Sequence, residues 1–154
     1  MGYLWRFLHL LSAFSFVGAL TIAEWNGRAA RGTHDWARRS ALWAVVRSTT
    51  QILGLGSLVL LGILGNLLAV TMSLPMGGTW MRGVNGLWLV GILLYLFLAL
   101  PAANRLVAAC EAAADGAPEA AYDAAVRRAR LASVLVSIFY VLMLAMMVLR
   151  PLLP

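Results

Sequence analysis

Residues 48–81 read STTQILGLGSLVLLGILGNLLAVTMSLPMGGTWM and contain no charged side chain. A helix needs about 20 apolar residues to cross the hydrocarbon core of a bilayer, so this stretch is long enough to span a membrane. Three further uncharged runs accompany it, at residues 7–23, 83–104 and 131–149. Because the runs are continuous rather than alternating, they predict helices and not the strands of a barrel.

The composition agrees with a membrane protein. Hydrophobic residues make up 62% of the chain and charged residues 12%, which excludes an ordinary soluble domain. We predict an all-α fold, a four-helix transmembrane bundle, as a single integral-membrane domain over residues 1–154. The helices are expected at about residues 3–23, 48–73, 83–104 and 131–149. Such a protein is expected to be surrounded by the lipid bilayer.

The arginines predict the orientation. All twelve basic residues are Arg, and the formal net charge is +6. Nine lie in the first and third connections, against three (Arg6, Arg82 and Arg150) on the other side. The nine are Arg28, Arg31, Arg38, Arg39, Arg47, Arg105, Arg127, Arg128 and Arg130. The positive-inside rule then predicts a bacterial inner-membrane protein with both termini outside. Arginines at helix ends do not form a nucleic-acid stripe, so no nucleic-acid partner is expected.

The first connection, residues 24–47, carries tryptophans interleaved with arginines. This pattern is typical of an amphipathic membrane-interface anchor at the inner headgroups, and a docking surface for a cytoplasmic partner is the alternative. Asp35 is a candidate cap for a helix that begins at Trp36. The anchor residues are Trp25, Trp36, Trp43, Arg28, Arg31, Arg38 and Arg39.

The third connection contains the sequence Asp-Gly-Ala-Pro at residues 115–118, between two alanine-rich segments. Asp-Gly followed by Pro indicates a helix stop, a turn and a new start. We therefore predict a cytoplasmic helical hairpin between helices 3 and 4.

Helix 2 carries small residues that fall on one face, within an arc of about 140°. Small residues let helices approach closely in lipid, where packing drives association. The partner of this face is either another helix of the same chain or a different subunit. The candidate packing interface comprises Gly54, Ser57, Gly62, Gly65 and Ala69.

His9 is ionisable and lies well inside a predicted span. Ionisable groups within a membrane are candidates for function. It could bind haem iron, copper or a chlorophyll magnesium, or hydrogen-bond a neighbouring helix. Several methionines map to the same outward half: Met72, Met76, Met81, Met143, Met146 and Met147. Thioethers and imidazole suit Cu(I), and His with Met also ligates haem. Packing among apolar helices is the alternative for the methionines, and Asn66 and Asn85 are expected to hydrogen-bond between helices.

The opening LHLLSA at residues 8–13, with Gly18 following, resembles a loose group of bacterial four-helix membrane proteins. The group comprises an uncharacterised predicted integral-membrane family, the copper-resistance protein D family and the four-helix membrane protoporphyrinogen oxidase. The ending VLRPL at residues 148–152 is similar to the terminal Lys-Pro stretch of the oxidase. The copper family implies His and Met ligands toward the outside.

The oxidase family relies on a first-helix His and a third-helix Lys. His9 matches the first position, but the chain has no Lys, and Asn85 or Arg82 stands near the second. This departure argues against porphyrin oxidation.

The sequence also shows no Ser-His-Asp set, phosphate-binding loop or paired intramembrane carboxylates. The leading prediction is a non-catalytic accessory subunit, without a cofactor, of a larger respiratory or photosynthetic electron-transfer complex. The alternative is a protein that binds or transports haem or copper through His9 and the outward methionines.

Overall fold

The structure is a computed structural model, and it describes residues 2–149. Four long helices make up the fold: α1 (Gly2–Arg31), α2 (Trp36–Thr71), α3 (Thr79–Ala114) and α4 (Glu119–Val148). Each is long and apolar enough to cross a membrane, so the predicted all-helical architecture with four spans is confirmed. Arg150 and the rest of the predicted C-terminal motif lie outside the described residues.

The α2 helix begins where the sequence predicts a cap. The Asp35 carboxylate accepts hydrogen bonds from the backbone N–H groups of Ala37, at 3.0 Å, and Arg38, at 3.4 Å. No Gly or Pro interrupts the chain between Trp36 and Ser48, so the helix continues directly into the second apolar run. Residues 36–47 thus form the first turns of α2, and their position at the inner headgroups stays a prediction.

The turn between α3 and α4 follows the predicted chemistry. Gly116 has a φ of +96°, a conformation that costs little only for glycine. Pro118 immediately precedes the first residue of α4. The chain therefore reverses at the predicted position, while the side of the membrane on which this hairpin lies stays a prediction.

Each of the two middle helices contains a π-helical stretch, Thr49–Gly54 in α2 and Tyr95–Ala99 in α3. The two stretches face each other. The Tyr95 hydroxyl lies so close to Gly54 that a Cβ atom on the glycine would be 1.8 Å from it. Only a glycine allows this approach of α3 to α2.

The bundle is built from two helix pairs. The α1 helix packs along α2 and α3 packs along α4, and the pairs meet through α2 and α3, as short connections favour. The core has a central cluster and a second cluster at the arginine-rich end. The central one is Phe16, Leu58, Leu61, Tyr95, Val136, Tyr140 and Met143. The second is Ala30, Trp43, Leu106, Val107, Cys110, Ala113 and Tyr122.

The outward faces of the helices remain apolar. Phe14 is 71% exposed and Phe97 is 76% exposed. A soluble monomer rarely presents such continuous apolar surface. These faces are suited to lipid tails.

Candidate ligand site around His9

A cavity of about 190 Å³ lies between the helices on the side of the bundle away from the arginine-rich end. Polar groups and sulfur atoms from all four helices line it. Those used below are His9, Asn66, Asn85, Trp80, Trp88, Met72, Met81, Met143 and Met147. The His9 and methionine residues that the sequence singled out are thus brought together in part.

The imidazole of His9 is fixed by the neighbouring helix. Its Nδ1 lies 3.1 Å from the Leu61 carbonyl oxygen. Because a carbonyl only accepts, Nδ1 must carry the proton of this hydrogen bond, and a neutral imidazole then keeps a free lone pair on Nε2. This is the arrangement of most metal-binding histidines, which donate the second ring N–H to a carbonyl or carboxylate.

Gly65 makes the contact with His9 possible. A Cβ atom on Gly65 would lie 3.0 Å from His9 Cε1 and 3.3 Å from Nδ1, which is tighter than ordinary contact distances. The glycine therefore lets the imidazole lie against the α2 backbone, where it reaches the Leu61 carbonyl.

The two intramembrane asparagines pair with each other. Asn66 Nδ2 donates to Asn85 Oδ1 at 2.9 Å, and Asn85 Nδ2 donates to Asn66 Oδ1 at 3.1 Å. A second N–H of Asn66 donates to the Gly62 carbonyl at 2.9 Å. This agrees with the predicted interhelical hydrogen bonding. The pair ties α2 to α3 beside the cavity and satisfies amide groups that are expensive to leave unpaired in lipid.

Two indoles form further walls. Trp88 Nε1 donates to the Leu58 carbonyl at 2.9 Å, and Trp80 Nε1 donates to the Met146 carbonyl at 2.9 Å. The Trp88 ring lies directly over Gly62, since a Cβ atom there would be 2.0 Å from Trp88 Cε2. Sequence reasoning missed both indoles, although Gly62 was a signal that a large ring lies opposite.

The methionines divide into two groups. Met81 is 4% exposed and Met143 is 3% exposed, so both belong to the buried wall of the cavity. Met72 also lines the cavity, and its Sδ accepts a hydrogen bond from Arg6 Nη2 at 3.6 Å. Met147 also lines the cavity.

The two remaining predicted methionines, Met76 and Met146, do not line this cavity. Met76 lies in the connection between α2 and α3, and 40% of it is exposed. Met146 contributes its carbonyl to Trp80.

The small residues of α2 contact side chains of the same chain. Gly54 faces Tyr95, Gly62 faces Trp88 and Gly65 faces His9. Ser57 is 5% exposed and Ala69 is 4% exposed. Of the two partners considered for this face, the geometry favours a helix of the same chain.

The tryptophan- and arginine-containing segment is also partly buried. Trp43 is 4% exposed, and its Nε1 donates to Tyr122 Oη at 3.0 Å. The Arg39 guanidinium lies 4.1 Å from the centre of the Trp36 ring and 5.1 Å from that of Tyr122. Trp43 therefore packs in the protein interior, in contrast to the headgroup position expected for it.

The other expected anchor residues lie nearer the surface. Trp25 is 75% exposed, and Arg38 is exposed. Glu24 Oε1 accepts from Arg28 Nε at 2.8 Å and lies 3.5 Å from Arg31 Nη2. A headgroup role for these residues stays a prediction.

Across residues 2–149, no three His, Cys, Asp or Glu side chains gather into a possible metal site. A metal ion in the His9 cavity would therefore be held by one imidazole and thioethers, which is a soft ligand set.

No curated protein and no solved structure matches the chain. The family model described as "Predicted integral membrane protein (DUF2269)" matches residues 3–151, which is nearly the whole sequence. The chain therefore belongs to the DUF2269 family of predicted integral membrane proteins.

Proposed function

We propose that the protein binds a soft monovalent metal ion, Cu(I), in the cavity around His9. The observation that carries the proposal is the hydrogen bond from His9 Nδ1 to the Leu61 carbonyl, at 3.1 Å. It leaves Nε2 of a neutral imidazole with a free lone pair, in a cavity that is also lined by methionines.

The donor set fits this ion. Imidazole and thioether are neutral ligands, and thioethers select Cu(I) over hard cations. Met81 and Met143 are the first candidates beside His9, because both are buried in the cavity wall. Met72 is a weaker candidate, since the positive charge of Arg6 lies beside its sulfur.

The size of the cavity favours an ion over haem. An engineered apolar cavity of about 150 Å³ holds benzene. The His9 cavity, at about 190 Å³, is only slightly larger and is far too small to enclose a tetrapyrrole. The oxidase alternative is weaker for a chemical reason. Asn85, which stands near the position of the oxidase lysine, lines the same cavity as His9, but its neutral amide lacks the positive charge of a lysine.

The proposed setting is a bacterial inner membrane, with both termini outward and the α3–α4 hairpin in the cytoplasm. The arginine distribution supports this orientation under the positive-inside rule. In this orientation the His9 cavity lies in the outer half of the bundle, on the side from which copper enters the cell.

An accessory-subunit role in a larger electron-transfer complex remains a second, less supported proposal. Two surfaces motivated it, the small-residue face of α2 and the tryptophan- and arginine-containing segment. The glycines of the first are covered by Tyr95, Trp88 and His9. Extraction from native membranes in a mild detergent tests it directly. Recovery in a stoichiometric complex supports the subunit role, and recovery as a lone protein contradicts it.

The copper proposal is tested by anaerobic Cu(I) titration of the purified protein against a chromophoric chelator. We expect about one Cu(I) per chain for the wild type. His9→Ala and Met81→Leu should each weaken binding by at least about tenfold, the lower end of the effect of losing even a supporting group. Met76→Leu is the matched control, because Met76 lies outside the cavity. Equal affinities of the wild type, His9→Ala and Met76→Leu would contradict the proposal.

A further inference from the structure

A second cavity of about 80 Å³ lies at the arginine-rich end of the bundle, where all four helices meet. Alanines form a large part of its wall, among them Ala19, Ala23, Ala99, Ala102 and Ala103. Such walls form a narrow apolar slot, because alanine leaves space that larger side chains would fill. The slot is independent of the copper proposal, since it shares no residue with the His9 cavity.

Charged groups stand at the rim of this slot. Glu24, Arg31 and Arg130 all line it. Glu24 is already paired with Arg28 at 2.8 Å, and its contact with Arg31 is longer, at 3.5 Å. Arg130 forms no ion pair with any residue in the described range. The rim therefore carries positive charge that the carboxylate does not balance.

Arg31 is placed at the rim by Gly27. A Cβ atom on Gly27 would lie 3.4 Å from Arg31 Nη1 and 3.3 Å from Trp43 Cζ3. The guanidinium and the buried indole therefore both approach the α1 backbone at Gly27, where a side chain would crowd them. The Arg31 guanidinium thus lies next to the apolar slot, with 35% of its side chain exposed.

We propose that this place binds an anionic phospholipid, with its phosphate between Arg31 and Arg130 and the first carbons of an acyl chain in the alanine slot. The two halves of the site match the two halves of that ligand. A free phosphate would use the arginines and leave the slot unfilled, and a zwitterionic lipid would gain less from the uncompensated charge. Basic pockets between membrane helices are known to select anionic headgroups.

Native mass spectrometry of the detergent-solubilised chain, titrated with phosphatidylglycerol or phosphatidylcholine, tests the proposal. We expect phosphatidylglycerol to bind more tightly, with one lipid retained per chain. An arginine near an anionic headgroup contributes roughly fivefold in affinity, so Arg31→Ala/Arg130→Ala should weaken phosphatidylglycerol binding by about 25-fold. Arg127→Ala/Arg128→Ala removes the same charge from exposed positions outside the slot and should leave binding nearly unchanged.

A second variant tests the slot without altering charge. Ala102 is half-buried and lines the slot, so Ala102→Leu should fill it and weaken phosphatidylglycerol binding while both arginines remain. Inorganic phosphate, added as a competitor, should displace little of the lipid. Equal binding of the two lipids, or equal losses in the two double-arginine variants, would overturn the proposal. Full displacement by phosphate, with no effect of Ala102→Leu, would overturn the lipid in favour of a free anion.

Discussion

The close contact between Gly62 and Trp88 gives a quantitative prediction for the variant Gly62→Ala. The added Cβ atom would lie 2.0–2.4 Å from three atoms of the Trp88 ring, so the ring must move. Overpacking of this kind typically costs about 1–3 kcal/mol. Movement of the ring also breaks the 2.9 Å hydrogen bond from Trp88 Nε1 to the Leu58 carbonyl, and an unpaired buried donor costs about 1–3 kcal/mol more.

Helix propensity acts in the opposite direction, since alanine is better than glycine in a helix by about 0.5–1 kcal/mol. The net expectation is a loss of about 3 kcal/mol in the free energy of unfolding. Gly56→Ala is the matched control. Gly56 lies in the same helix, and a Cβ atom there meets nothing within 4 Å, so this variant should be neutral or slightly more stable.

The measurement is unfolding by sodium dodecyl sulfate in mixed micelles, followed by circular dichroism. A second comparison isolates the contact, because the loss from Gly62→Ala should largely disappear in a Trp88→Ala background. If Gly62→Ala and Gly56→Ala have the same stability, the small-residue face of α2 does not pack against α3 as described, and the reasoning fails.

Three other predictions concern different parts of the bundle. Asn66→Leu should lower the free energy of unfolding by about 1–3 kcal/mol because it leaves Asn85 unpaired, and Asn66→Leu/Asn85→Leu should lower it by less. In the same unfolding assay, a double variant less stable than the single one would contradict this. Trp43→Phe should lower stability by about 1 kcal/mol by removing the donor to Tyr122, and the loss should vanish in a Tyr122→Phe background, which a double-mutant cycle would reveal. Gly116→Ala should lower the free energy of unfolding by about 1 kcal/mol, because φ is +96° there and alanine is strained in that conformation. An unchanged unfolding midpoint would show that the turn adopts another conformation.

Local sequence signals predicted the four apolar helices, the start of α2 and the turn before α4, whereas α1 runs to Arg31, past its predicted end near residue 23. The apolar runs determine the spans, because lipid leaves few other ways to satisfy backbone polar groups. Asp35 predicted the start of α2, and the Asp-Gly-Ala-Pro sequence predicted the reversal before α4. These signals are read within one segment, so they need no knowledge of how the helices pack.

For contacts between helices, the sequence predicted the type of contact but not which residues meet. The small face of α2 indicated close packing, but not that Gly65 would meet His9. The outward position of the methionines indicated a shared end of the bundle, but not which of them reach the cavity. Met81 reaches it and Met76 does not, because Met81 lies in α3 and Met76 in the connection before it.

The burial of Trp43 and the π-helical stretches could not be predicted from the sequence, because both involve contacts between different helices. A tryptophan among arginines fits a headgroup position and a buried cluster equally well. The difference is made by Tyr122, which accepts the Trp43 hydrogen bond from 79 residues further along the chain. The π-helical stretches lie where Tyr95 meets Gly54, a contact that no pattern within either helix encodes.

X-ray absorption at the copper edge of the Cu(I)-loaded protein tests the central claim most directly, since it identifies the atoms bound to the metal. We predict a Cu(I) edge with sulfur and imidazole nitrogen in the first shell, and loss of the imidazole contribution in His9→Ala. A first shell without sulfur, or one that is unchanged in His9→Ala, would contradict a site built from His9 and the methionines.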